Sequence, residues 1–216
     1  MTAITVHGIP GSPFLRSVEV ALKEKGADYH LNAMAPGEHK GLEHLQRHPF
    51  GRIPAIEIDG FSLYETQAII RYLDEAYPNP PLTPGNAAQR ARMNQVIGII
   101  ECYFFPKAAA PIASQRIIGP KLLGLPTDEA PIAEAMPMAR VCFAELDRLL
   151  GDRPYFGGDT ASIADIMLAA QLDLLTETPE GSELISGTGL EPWLARMLAR
   201  PSFVATEPPQ ALRQAA

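Results

Sequence analysis

Along the first 76 residues the apolar positions switch between two spacings. Ile4 to His7 is a short, mostly apolar run that predicts a strand. From Ser12-Pro13 onward, Leu15, Val18, Ala21 and Leu22 recur on one helical face until Gly26 stops the helix. Tyr29 to Asn32 predicts a second strand. Strand, helix and strand of this length form a right-handed βαβ unit with parallel strands. Ala55-Ile56-Glu57-Ile58 and Phe61-Ser62-Leu63-Tyr64 flank Asp59-Gly60, a pair suited to the positive φ angles of a type I′ turn, so a β-hairpin is predicted there. Thr66 to Ala76 returns to helical spacing, with Ile69, Ile70, Tyr72 and Leu73 mostly inward.

Tyr77 to Asn86 then carries prolines at 78, 80, 81 and 84, a composition that reads as a linker. Beyond it the periodicity is helical, with no convincing strand and no internal repeat. A helical region from about Ala87 to Ile118 is interrupted by Pro106 and Pro111, each of which removes a backbone donor. A second helix holds Val141, Leu146, Leu149 and Leu150 and ends at Gly151. Ser162-Ile163-Ala164-Asp165 has capping-box spacing at the head of the apolar helix Ile166 to Leu175, which is predicted to be central and buried. The order βαβ, short helix, ββ, α is that of a thioredoxin-like domain, followed by an all-helical domain. The expected boundaries are 1–80, a linker at 81–86, and 87–216.

Composition narrows the classes. The chain has 216 residues, 46% hydrophobic and 20% charged, which suits a globular protein of one or two domains. A net charge of -7 without a basic patch argues against nucleic acid or anionic lipid as partners. The N-terminal residues lack a basic, then apolar, signal pattern, and no stretch reads as a membrane span, so a soluble cytoplasmic protein is expected. Cys102 and Cys142 sit among apolar residues and read as core thiols. His44 and His48 are spaced i, i+4 without an evident third ligand, so no metal is expected.

Several segments carry chemistry when read together. They are Gly11-Ser12-Pro13-Phe14-Leu15-Arg16 with Glu24-Lys25-Gly26, Gly37-Glu38-His39-Lys40, Pro49-Phe50-Gly51-Arg52-Ile53-Pro54, and Leu63-Tyr64-Glu65-Thr66-Gln67-Ala68-Ile69. Past the linker come Ser162 to Asp165, Pro192-Trp193 and Arg200-Pro201-Ser202-Phe203. In order and spacing they resemble a cytosolic glutathione S-transferase of the serine-type, phi-like branch, over nearly the whole chain.

Ser12 has an ordinary reading as a helix N-cap before Pro at N1. The resemblance implies instead that it donates to the thiolate of glutathione. Lowering a thiol pKa by two units needs about 2.7 kcal/mol of preference for the anion, the size of one charge-assisted hydrogen bond plus a helix terminus. The resemblance also implies a cis Ile53-Pro54 bond whose Ile53 backbone pairs with the cysteinyl backbone of glutathione; the ordinary reading is a trans proline at a strand start. Glu65 and Thr66, otherwise a capped helix start, would meet the γ-glutamyl end. His39 and Lys40, otherwise a solvated loop pair, would meet the glycyl carboxylate, with Arg52 beside them. Ser162 and Asp165 are read as structural caps.

The implied function is transfer of glutathione to a small apolar electrophile, with glutathione as substrate, no permanently bound cofactor and a homodimeric assembly. The second substrate would lie between Ile9, Pro10 and Phe14 on one wall and Tyr103, Phe104 and Phe105 on the other, with Phe104 foremost. No cation is evident in that wall, so a neutral partner is expected. Three consecutive aromatics on a helix cannot all face one way, so one or two belong to the core. Other readings of the same scaffold are a glutathione-binding protein without turnover, or a glutathione-dependent isomerase, peroxidase or dehalogenase. A disulfide reductase is disfavoured because no Cys stands near the first helix start.

Overall fold

The computed structural model describes residues 3–213 and divides into two compact units. Among these residues the first unit comprises 3–82 and 201–208, and the second 83–200 and 209–213.

In the first unit, β1 (Ile4–Gly8) pairs in parallel with β2 (His30–Ala33) and antiparallel with β3 (Ala55–Ile58), which pairs with β4 (Phe61–Tyr64). The sheet order β2-β1-β3-β4 is the thioredoxin-like arrangement expected from the element order. β2 begins one residue later than its apolar pattern suggests; at the sheet edge it is largely exposed, so burial does not mark its start. α1 (Pro13–Glu24) and α3 (Thr66–Ala76) pack on each other, burying Leu15, Val18, Ala21 and Leu22 from one and Ile69, Ile70 and Leu73 from the other. Each of the Leu, Val and Ile side chains among them contributes about 2 kcal/mol on leaving water. Gly26, at φ 62°, takes the left-handed conformation that ends α1. A 3-10 turn over Glu38–Lys40 leads into the short helix α2 (Leu42–Arg47).

Two features depart from the domain boundaries read in sequence. Leu82, placed in the linker, is 3% exposed and belongs to the first unit. Its N–H donates to Asp74 Oδ1 at 2.7 Å, and the same oxygen lies 2.5 Å from Lys25 Nζ, which also donates to the Pro80 carbonyl. A buried ammonium and carboxylate that satisfy each other thereby pin the proline-rich segment down. Residues 201–208, assigned by position to the helical domain, also belong to the first unit. α10 (Pro201–Val204) lies on α1, where the Arg16 guanidinium donates to the Phe203 carbonyl at 3.2 Å and stands 5.0 Å from the Phe203 ring centre. Ser202 Oγ donates to Glu24 Oε1 at 2.5 Å.

The second unit is helical, with one isolated bridge between Tyr155 and Gly158 among its described residues. α4 (Ala87–Ile99) continues without a break through a π-helical stretch (Ile100–Ala109), α5 (Ala110–Ala113) and a second π-helical stretch (Ser114–Leu123). The region thus runs five residues beyond the expected end. Its prolines shift the hydrogen-bond register instead of breaking the helix: Pro106 and Pro120 sit inside the π-helical stretches and Pro111 in the first turn of α5.

By length and mean hydropathy this 37-residue helix could cross a membrane, contrary to the absence of any span expected from sequence. Its buried residues, including Met93, Val96, Ile97, Ile100, Phe104 and Ile112, are those of a core helix in its own unit.

α6 (Glu129–Leu150) ends at Gly151 and leaves Val141 outward. α7 (Ile163–Leu175) is buried almost throughout and contacts α4, α8 (Pro179–Ile185) and α9 (Leu190–Leu198). α11 (Gln210–Arg213) ends the described chain, with Arg213 paired to Asp173 on α7 at 2.6 Å.

Candidate functional site

Strand register brings the sequence-predicted residues of the first unit to one edge. His7 stands opposite Ala55, Ala55 opposite Tyr64, and Gly8 opposite Ala33. The segments just beyond this row are 9–12 after β1, 34–40 after β2, 53–54 before β3 and 65–66 after β4. The antiparallel and parallel pairings together leave them on the same rim of the sheet.

Ser12 caps α1 from an extended backbone (φ -67°, ψ 126°), with Pro13 in the first turn. Its N–H donates to the Ile9 carbonyl at 3.0 Å, closing the turn that lifts the chain off β1. Its Oγ accepts a long 3.4 Å bond from the Leu15 N–H. The hydroxyl proton has no acceptor among the described residues, so the group can donate where the α1 amides gather positive charge. Gly8 allows this close approach: a Cβ there would meet Leu15 Cδ1 at 2.8 Å. Ile9 and Phe14 are half-buried beside Ser12, and Pro10 is exposed.

The 3-10 turn and the segment before β3 are tied together by backbone carbonyls. Lys40 Nζ donates to the Gly51 carbonyl at 2.7 Å, His44 Nε2 to the Arg52 carbonyl at 2.6 Å, and the Gly51 N–H to the His48 carbonyl at 2.8 Å. His39 is half-buried, and its pKa lies below the usual imidazole value because of burial first and the neighbouring Lys40 charge second. The Arg52 side chain is exposed. The Ile53–Pro54 bond is cis, with Ile53 half-buried and Pro54 buried.

Glu65 occupies the N-cap position of α3 at φ 71°, ψ 114°, a backbone conformation that a residue with a Cβ enters only at a cost. Its side chain makes no cap bond, so ordinary helix capping does not account for that strain. Thr66 is buried beside it. His48, 2% exposed, lies 4.5 Å ring to ring from Tyr64; burial holds its pKa down against the opposing charge of Glu65. The rim therefore offers a hydroxyl donor, two helix N-termini, a cationic turn and a carboxylate, a set suited to a small zwitterionic ligand.

The aromatics of the second unit divide differently from expectation. Phe104 is fully buried, edge-on to Phe143 of α6 at 5.8 Å, so it is a core residue and not an open wall. Tyr103 is 49% exposed and Phe105 half-buried. Lys107 Nζ lies 5.4 Å from the Tyr103 ring centre, which corrects the reading of a wall without a cation; four residues on, it shares the Tyr103 face. Cys102 is likewise outward and not a core thiol, whereas Cys142 is buried.

Ser162 and Asp165 form a capping box, with the carboxylate accepting from the Ser162 N–H at 2.9 Å and its Oγ–H at 2.7 Å. Two partners are invisible in the local spacing: the Phe156 N–H and the Trp193 indole N–H, each at 2.9 Å. The sequence weighs His44 only as half of a metal pair, and its bond to the Arg52 carbonyl has no sequence signal. His7 is also unread. It is buried between Glu57 at 3.1 Å and Asn32 at 2.9 Å, with Arg47 on the other Glu57 oxygen at 3.0 Å.

Comparison with known proteins agrees with this arrangement. Residues 6–81 match the family description "Glutathione S-transferase, N-terminal domain", and residues 129–196 match "Glutathione S-transferase, C-terminal domain". The chain is 31% identical over 207 residues to the probable glutathione S-transferase GSTF1 of Oryza sativa subsp. japonica, covering 94% of each. It is similar to the crystal structure of glutathione transferase F7 from Populus trichocarpa, with a TM-score of 0.84, 26% identity, and coverage of 94% of this chain and 97% of that one. It is also similar to glutathione S-transferase I from maize in complex with an atrazine glutathione conjugate, with a TM-score of 0.82, 28% identity and 97% coverage of each.

Proposed function

Because the chain belongs to the glutathione S-transferase family, we propose that it binds glutathione on the rim of its first unit and transfers it to a small apolar electrophile. Ser12 carries the reaction. Its hydroxyl, with a single long bond from the Leu15 N–H, keeps its proton for a thiolate seated at the α1 N-terminus. The bound thiol gives its proton to water. The thiolate then attacks the electrophilic carbon, forming the carbon–sulfur bond as the carbon–leaving-group bond breaks and the leaving group departs with the electron pair, while Ser12 donates to the sulfur until that bond forms.

The tripeptide has a place for each end. His39, Lys40 and Arg52 take the glycyl carboxylate, the Ile53 backbone pairs with the cysteinyl unit, and Thr66 with the α3 amides takes the γ-glutamyl carboxylate. Glu65 stands near the ammonium. Ile9, Pro10 and Phe14 flank the sulfur on the apolar side. Glutathione is a substrate here, not a resident cofactor. We also place the protein in the cytoplasm as a homodimer; exposed Leu42 and Phe50 on the first unit are apolar surface that a second copy would cover.

The deciding experiment is retention on immobilised glutathione followed by an assay with a generic aromatic halide. Retention with turnover is expected. Retention without turnover on halides, hydroperoxides or isomerisable substrates would leave a binding protein, and no retention would overturn the proposal.

A further inference from the structure

The residues proposed above for glutathione would touch it directly; the loop that carries the Ile53 backbone has its own support. Two consecutive residues before β3, Gly51 and Arg52, are held by three hydrogen bonds from α2, its C-cap and the turn ahead of it. The Gly51 carbonyl accepts from Lys40, the Gly51 N–H donates to the His48 carbonyl, and the Arg52 carbonyl accepts from His44. The last of these is short, at 2.6 Å, and comes from a side chain only 2% exposed.

A carbonyl only accepts, so His44 Nε2 must carry the proton. His44 Nδ1 is buried and has no hydrogen-bond partner among the described residues. An unsatisfied buried nitrogen destabilises the fold. An apolar ring would fill the same space, against His48 at 6.2 Å, without that cost. What the imidazole adds is its one donor.

The Arg52–Ile53 peptide is trans, so its C=O and N–H lie in one plane and point in opposite directions. Drawing the Arg52 carbonyl toward α2 therefore aims the Ile53 N–H away from α2, on the side left for a ligand. We propose that His44 is a positioning residue for glutathione, which from the interior of the first unit fixes the Arg52–Ile53 peptide plane and so presents the Ile53 N–H to the cysteinyl carbonyl of the tripeptide. This rests on the reading that the Ile53 backbone receives glutathione.

The test compares His44→Phe, His44→Gln and His44→Asn with the unaltered full-length protein. Glutathione affinity is measured by calorimetry, KM and kcat by steady-state kinetics, and thermal melting separately. Phe keeps the ring and loses the donor. Gln carries an amide N–H at the level of Nε2, whereas Asn is too short to reach the Arg52 carbonyl. His44→Phe should raise Kd and KM for glutathione about tenfold, the equivalent of one net hydrogen bond, with kcat at saturation within about twofold. Gln should recover most of the affinity and Asn should not. If Phe fails to fold, the contrast between Gln and Asn carries the same test. Equal glutathione affinity in all variants, with only melting temperature changed, would overturn the inference while leaving glutathione binding intact. Failure of the unaltered protein to bind glutathione would overturn the underlying reading instead.

Discussion

The indole N–H of Trp193 on α9 donates to Asp165 on α7 across 2.9 Å, with both side chains buried. The Asp165 carboxylate thus collects four donors from three places in the chain: Phe156 N–H, Ser162 N–H, Ser162 Oγ–H and the indole. Burial pushes its carboxyl above the usual range, and the four donors pull it part of the way back.

Asp165→Ala leaves four buried donors unanswered, so it should cost several kcal/mol, on the order of 1–3 for each group left unsatisfied and less than additive. Asp165→Asn keeps acceptor oxygen for some of them and should cost less. Urea denaturation with Trp193 fluorescence checks both. Full stability with lost turnover would move Asp165 from the scaffold to the chemistry.

Ser12→Ala should barely alter folding, since the bond it gives up is a 3.4 Å cap. It should leave glutathione affinity largely intact, raise the pKa of the bound thiol by about two units, and lower turnover at pH 7 roughly 25-fold, as the thiolate fraction falls from about three quarters to about 3%. Ultraviolet titration of the enzyme-bound thiolate measures the shift. An unchanged thiol pKa would remove Ser12 from the mechanism.

His39→Ala and Lys40→Ala should raise KM for glutathione and leave kcat at saturation close to that of the parent, the mark of lost uniform binding. Lys40→Ala should have the larger effect, because Lys40 also holds the Gly51 carbonyl. Steady-state kinetics with glutathione varied separates the two parameters. A fall in kcat at unchanged KM would contradict the assignment.

Stability should decline in mild acid. His7 and His48 are buried, and burial lowers both pKa values below 6.5 in the folded state. Between the folded and unfolded values the unfolded chain binds more protons, so stability is full above about pH 6.5 and lost as pH falls below it. The slope is about 1.4 kcal/mol per pH unit for each proton of difference. For His7 burial is the dominant cause, with the Arg47 charge adding to it, and together they outweigh the Glu57 carboxylate, which favours the charged ring. Urea midpoints at pH 7.5 and 5.5, in the parent and in His7→Gln, should show a smaller loss in the variant. An equal loss in both would exclude His7 as a source.

The sequence resolves what local chemistry encodes. Asp59-Gly60 sets the hairpin register, and the switch to helical spacing at Thr66 gives α3 its observed bounds. Ser12 at the α1 start is legible because the first turn of a helix is a local matter. Phe104 is not, since its depth depends on a π-helical register that breaks the ordinary spacing and turns the ring toward Phe143. Trp193 and Phe156 reach Asp165 only through tertiary packing, and His44 meets Arg52 through a turn whose shape no residue pattern encodes. The strain at Glu65 is likewise a property of the assembled rim.

The return of residues 201–208 to the first unit also sets an order of events during synthesis. The ribosome makes β1 and α1 early, yet the Phe203 carbonyl and Ser202 hydroxyl that engage Arg16 and Glu24 emerge only after the whole of α4 to α9. Until then one face of α1 lacks its cover and the Arg16 guanidinium lacks that acceptor. The part of the protein translated first is therefore completed near the end, and a chain stopped after α9 would release a first unit with an open flank.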